Sequence, residues 1–217
     1  MNASLPADQA TQRVSARRLL ATLGGAGALA GALLVFAFQA TQPTILANKA
    51  RELAGAIGEV LRDPARWDTL YVVEGALRRD LPAGTDARGL ERVYLGYDGD
   101  GRRVGFAVET GAPGFQDRIG LIFGYDPATG RLLGMKVLQS SETPGLGDRI
   151  YKDSGFVNQF GRVAVPLRGV KRGAGHGDST ALDMITGATI SSRAVIRAVN
   201  DALARLRPLL DGYREGS

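Results

Sequence analysis

The sequence predicts an α+β domain, a mainly antiparallel sheet with packed helices, preceded by one N-terminal transmembrane helix. Three patterns predict it. They are an uncharged run over 19–38, two pairs of alternating apolar stretches around turns within 90–138, and a helical apolar stripe over 194–210. The chain has 217 residues, 44% hydrophobic and 23% charged, enough for one ordinary domain plus an appendage. That composition excludes a disordered or collagen-like chain.

The run Leu19–Phe38 reads LLATLGGAGALAGALLVFAF. At 1.5 Å per residue it spans roughly 30 Å, the hydrocarbon thickness of a bilayer. Arg13, Arg17 and Arg18 precede it, and no charge follows until Lys49. The positive-inside tendency therefore places the short N-terminus, residues 1–18, in the cytoplasm and residues after about 40 on the exported side of the membrane. A secretory signal has an apolar region of about 7–15 residues and a small-x-small cleavage site. This run is longer, and neither Phe38-Gln39-Ala40 nor Ile45-Leu46-Ala47 fits such a site, so the reading is an uncleaved anchor.

Beyond Pro43, residues Leu46, Ala50, Leu53, Ala54, Ile57, Val60 and Leu61 keep helical spacing until Asp63-Pro64 ends it. Residues 39–65 are thus expected to form a helical stalk, and 66–217 the exported domain. In that domain, 90–97 and 103–108 flank Asp98-Gly99-Asp100-Gly101, a β-hairpin signal. The acidic turn lacks the late Glu of a calcium loop. A second hairpin pairs 119–125 with 132–138 across Asp126-Pro127-Ala128-Thr129-Gly130. A short strand is expected at 163–165 before a Gly-rich loop over 169–180. Ala194, Val195, Ala198, Val199, Ala202, Leu203, Leu206 and Leu210 then form the stripe of a helix over 191–210. Residues 62–90 carry no pattern that assigns them beyond core or edge.

Charge and side-chain chemistry narrow the function. Lys and Arg number 27 against 22 Asp and Glu, a net charge of +5, too small to argue nucleic-acid binding without basic-aromatic interleaving. There is no Cys and a single His, His176. Disulfides, Cys/His zinc sites, Cys-ligated iron–sulfur clusters, c-type haem and a lipoprotein anchor are excluded. A redox role requires an organic cofactor held in another way.

Two stretches offer chemistry. Asp183-Met184-Ile185-Thr186-Gly187-Ala188-Thr189-Ile190-Ser191-Ser192 brings four hydroxyls to the start of the last helix. Free amides and the helix dipole there suit a phosphate, and an ordinary N-cap explains the same residues. Ser141-Glu142-Thr143-Pro144-Gly145-Leu146-Gly147-Asp148 follows the second hairpin. Pro144 with two glycines makes a compact loop able to approach a planar ligand, Glu142 and Thr143 supplying acceptor and donor. A plain surface turn also explains it.

Glu-Thr-Pro-Gly-Leu-Gly at 142–147 paired with Asp-Met-Ile-Thr-Gly-Ala-Thr at 183–189 resembles the FMN-binding domain family. The resemblance is strongest to the G subunits of Rnf ion-translocating electron-transport complexes. It is weaker to the C subunits of the sodium-pumping NADH:quinone oxidoreductase. It implies FMN joined covalently through its phosphate to Thr189 by a flavin transferase, with Asp183, Thr186, Gly187 and Ala188 as the recognition frame. Ser191 and Ser192 become candidate donors to the phosphate, and Gly145, Leu146 and Gly147 candidate ring contacts, beside Glu142 and Thr143. The partners implied are the other subunits of a membrane electron-transport complex, with this chain a carrier that has no turnover of its own. GAGHGDSTAL at 173–182 lengthens the loop relative to the family, and His176 within it is assigned no role. Other readings are a component of a sodium-pumping quinone reductase, a stand-alone periplasmic flavin carrier, or a membrane-tethered anion-binding module.

Overall fold

The computed structural model describes residues 15–82 and 84–214, in two compact units divided at residue 50. The expected cytoplasmic segment lies, for 1–14, outside the described residues. Helix α1 runs Ala16–Val60. It is long and apolar enough to cross a membrane, and Leu20, Leu23, Leu34 and Phe36 on it are over 70% exposed. The helix passes through Pro43, where the sequence suggested that one helical segment gives way to another. A proline removes a single ladder bond, and membrane helices tolerate that loss where neighbouring groups compensate.

In the second unit, six strands form one antiparallel sheet in the order β2-β1-β3-β4-β5-β6. They are β1 Arg66–Val73, β2 Ala76–Arg78, β3 Arg92–Tyr97, β4 Arg103–Pro113, β5 Arg118–Asp126 and β6 Arg131–Gln139. Both expected hairpins are present, β3–β4 and β5–β6. Asp98 Oδ1 accepts from the Asp100 and Arg102 amides at 2.9 and 2.8 Å, and Asp126 Oδ1 from Ala128 at 2.9 Å. These Asx contacts are why aspartate opens each turn. The unassigned stretch 62–90 supplies the edge hairpin β1–β2.

Alternation along the strands separates two apolar faces. Val93, Leu95, Phe106, Val108, Leu121, Phe123 and Tyr125 join the main core with Val195, Val199, Leu203 and Leu206 of the last helix. The intervening Tyr94, Ala107 and Ile122 pack on the opposite face against Ala56, Ile57, Val60 and Leu61 at the end of α1. A Cβ at Gly124 would collide with the Val60 carbonyl oxygen, and one at Gly134 would stand 3.3 Å from Val60 Cα. Glycine there lets helix backbone rest directly on the sheet.

After β6 come α2 Arg149–Lys152, α3 Ser154–Val157, a short parallel pair β7 Arg168–Val170 with β8 Ala181–Asp183, and α4 Thr189–Gly212. The strand expected at 163–165 is a correction: only Ala164 bridges, to Arg131, and the paired strand begins at Arg168. Pro166 has no N–H to continue a ladder from 165. Helix α4 starts two residues earlier than its stripe suggests, so Thr189 is its first residue. The result is the expected α+β architecture behind a long apolar helix.

Candidate functional site

Three segments meet around a cavity of about 320 Å3. Phe115 enters from the β4–β5 turn, Glu142, Thr143, Leu146 and Gly147 from the loop after β6, and Gly187 to Ser191 from the start of α4. Hydrogen bonding within each segment sets its shape. The turn closes with the Gly114 amide donating to the Asp117 carbonyl at 2.8 Å. In the second loop, Gly145 takes a φ of +78°, which favours glycine, and its amide donates to Asp148 Oδ1 at 2.8 Å. Lys152 donates to Asp148 Oδ2 at 2.6 Å and holds that carboxyl below the usual range.

The start of α4 is built without a side-chain cap. Its N-cap residue is Ala188, which has no side-chain acceptor to offer. Ser192 is fully buried, accepting from the Ile185 amide at 3.2 Å and donating to the Ala188 carbonyl at 2.9 Å. Gly187, at φ +87°, turns the chain into the helix. The amides of Thr189, Ile190 and Ser191 find no acceptor among the described residues. Thr189 is half-buried and lines the cavity, its hydroxyl also without a described partner. A hydroxyl and three amides without partners among the described residues, at the positive end of a helix dipole, are groups to which an anion can hydrogen-bond.

Glu142 joins the three segments. Its Oε1 accepts from the Phe115 and Gln116 amides at 2.8 and 3.0 Å, and its Oε2 accepts from the Ser191 hydroxyl. Burial alone would raise its pKa, but the Ser191 hydroxyl and the Gln116 and Phe115 amides together hold it below the ordinary value. A Cβ at Gly147 would come within 2.5 Å of Glu142 Oε2 and 2.9 Å of Ser191 Oγ, so only glycine leaves room for this contact.

The residues expected from sequence divide accordingly. Glu142, Thr143, Leu146, Gly147, Gly187, Ala188, Thr189 and Ser191 line the cavity, with Gly145 on the turn that shapes its loop. Asp183 and Thr186 line a different hollow, with Arg149, Gln159 and Arg172. There Asp183 Oδ2 accepts from the Gly173 amide at 3.1 Å, and Arg149 donates to the Thr186 carbonyl at 3.1 Å. Three of these residues already have partners within the chain. Ser192 is enclosed within the helix start, Ser191 donates to Glu142, and both Glu142 oxygens already accept from the chain itself. Phe115 and Ile190, 65% and 53% exposed at the cavity, were not anticipated. An aromatic within Pro113-Gly114-Phe115-Gln116, a turn between strands, was the available signal.

Comparison with known proteins places this geometry in a family. The FMN-binding domain matches residues 114–204, a span that contains every residue lining the cavity. The G subunit of the ion-translocating oxidoreductase complex of Yersinia pestis is 35% identical over 186 residues, 82% of this chain and 88% of that protein. Its counterpart in Methanosarcina acetivorans is 31% identical, over 86% and 92% of the two chains. Among solved structures, NqrC of Shewanella oneidensis superposes with a TM-score of 0.59 over 71% of this chain and 91% of its own, at 20% identity. The C subunit of the Na(+)-translocating NADH-quinone reductase of Parabacteroides distasonis gives 0.54, over 68% and 79%, at 22% identity. Those two likenesses establish the fold, and the first two relatives the family: the chain belongs to the G-subunit family of ion-translocating oxidoreductase complexes.

Proposed function

We propose that this chain is an electron-transfer subunit of an ion-translocating oxidoreductase complex, with FMN held covalently through its phosphate on Thr189. The observation that supports this most is the coincidence at one cavity of a Thr189 hydroxyl and three amides without partners among the described residues, at an uncapped helix start. An FMN phosphate fits those donors, and Phe115, Leu146 and Ile190 supply apolar surface suited to a flavin ring. When bound, the flavin supplies the electron chemistry and the protein supplies position and field.

The roles of the chain's own residues follow. Thr189 Oγ1 provides the ester oxygen, and the amides of Thr189, Ile190 and Ser191 stabilise the anionic phosphate. Thr143, Leu146 and Phe115 line the space that the flavin would fill. Asp183 and Thr186, facing away from the cavity, form the part of the motif left accessible to a flavin transferase. Helix α1 anchors the domain in the inner membrane, with the domain on the periplasmic side and other subunits of the complex as partners.

The test is co-expression with a flavin transferase, followed by a denaturing gel under blue light. The wild-type band is expected to fluoresce and the Thr189→Ala band to be dark. A dark wild-type band, with the transferase active on a control substrate, would instead favour reversible anion binding at the same helix start.

A further inference from the structure

Glu142 is only 6% exposed, yet the groups that bond its carboxylate among the described residues, the Phe115 and Gln116 amides and the Ser191 hydroxyl, are neutral. Among the described residues no Lys or Arg pairs with it. A charge taken from water and left without a cation opposes folding unless hydrogen bonds replace its hydration. Two amides and a hydroxyl replace it here. Both oxygens are thereby engaged by the protein's own donors, although the side chain forms part of the cavity wall. What it brings to that wall is its charge. Gly147 and Gly114 keep the space around that charge, since a Cβ at either would collide with a carboxylate oxygen.

We propose that Glu142 is a fixed negative charge in the cavity wall that lowers the reduction potential of the flavin. The proposal rests on the reading that FMN occupies this cavity. Each electron taken up there without a proton adds one negative charge beside the carboxylate. In a wall shielded from solvent the repulsion between the two is stronger than in water. Reduction becomes less favourable, and an electron already present leaves more readily for the next carrier. The residue acts through its field and touches no reacting atom.

The test is a mediated redox titration of the loaded full-length chain, followed by flavin absorbance. Glu142→Gln keeps the shape and removes the charge. At the wild-type midpoint its ratio of reduced to oxidised flavin is expected to be at least tenfold higher, about 30 mV for a two-electron couple. Ser191→Ala keeps the charge and removes one of its donors, so its midpoint is expected to fall. Opposite signs are the signature of charge, because a merely structural brace would move both variants the same way. An unchanged or lowered midpoint in Glu142→Gln overturns the proposal, as does a rise in Ser191→Ala. Should Glu142→Gln fail to fold, the sign in Ser191→Ala decides. If it folds but takes up no flavin, the residue is a ligand contact and the proposal is wrong. Attachment is read separately. A dark denatured band from wild-type protein that holds FMN natively overturns Thr189 as the attachment site, and the two midpoints remain measurable on the held FMN. Wild-type protein that holds no FMN at all overturns both readings.

Discussion

Helices α1 and α4 both pack on the six-stranded sheet, but the end of one is closed and the start of the other is open. At the end of α1, Ala56, Ile57, Val60 and Leu61 are buried, and Gly124 and Gly134 allow the helix backbone to lie against the strands. At the start of α4, the N-cap residue is an alanine, three amides have no partner among the described residues, and a cavity adjoins them. Glycine serves both ends by different means. Gly124 lets backbone meet backbone and leaves no space, whereas Gly147 makes room for a buried carboxylate beside an open space. Packing is completed where the domain meets α1 and left incomplete where a ligand can complete it.

The largest effect is expected at the closed end. Gly124→Ala introduces a methyl into the Val60 carbonyl, where neither backbone has slack. Overpacking of this kind costs about 3 kcal/mol, the upper end of its usual range. Urea unfolding of the full-length chain, followed by the fluorescence of Trp67, measures it. The yield of fluorescent band below the transition, which reads the proposed attachment at Thr189, should match wild type. A loss under about 1 kcal/mol would mean that the α1 end is as yielding as the α4 start.

The elements legible in the sequence are those whose causes are local. The β3–β4 and β5–β6 hairpins each carry an aspartate that bonds its own turn, and the α4 stripe lies within one helix. The β1–β2 hairpin escaped notice because it turns at Glu74-Gly75, with φ of +49° and +76°. Glu is not a residue that announces a left-handed turn. The strand expected at 163–165 was displaced by Pro166. In the site, the two motifs located the loop and the helix start, but neither motif identifies Glu142 as a link between them. Its partners lie 26 and 27 residues away at Gln116 and Phe115, and 49 away at Ser191. That role exists only once the three segments have been folded together.

A smaller effect, of opposite sign, is expected at the open end. Ala188→Ser supplies the missing cap, its hydroxyl accepting from the first-turn amides. A cap of this kind is worth about 1 kcal/mol, so unloaded protein should gain roughly that much in urea unfolding. The same hydroxyl competes with a phosphate for those amides, so the yield of fluorescent band should fall. Stabilisation without loss of loading would mean that the free amides contribute nothing to holding the phosphate.

The smallest effect separates the two ends by pH. The Glu142 carboxyl is held below its ordinary value of 4.5 in the folded chain, burial opposing the shift and the Ser191 hydroxyl and the Gln116 and Phe115 amides producing it. A lowered folded pKa means that the unfolded chain binds its proton first as pH falls. The contribution of Glu142 to stability is therefore fully present above 4.5 and is lost as pH falls through the lower folded value. Amide NMR of unloaded protein should show Phe115 and Gln116 shifting together below pH 4.5, as their shared acceptor is protonated. Ala107 and Ile122, packed against the end of α1, should stay still through the same range. Movement of all four in concert would mean that acid loosens the sheet as a whole, and the α4 start would then have no independent acid response.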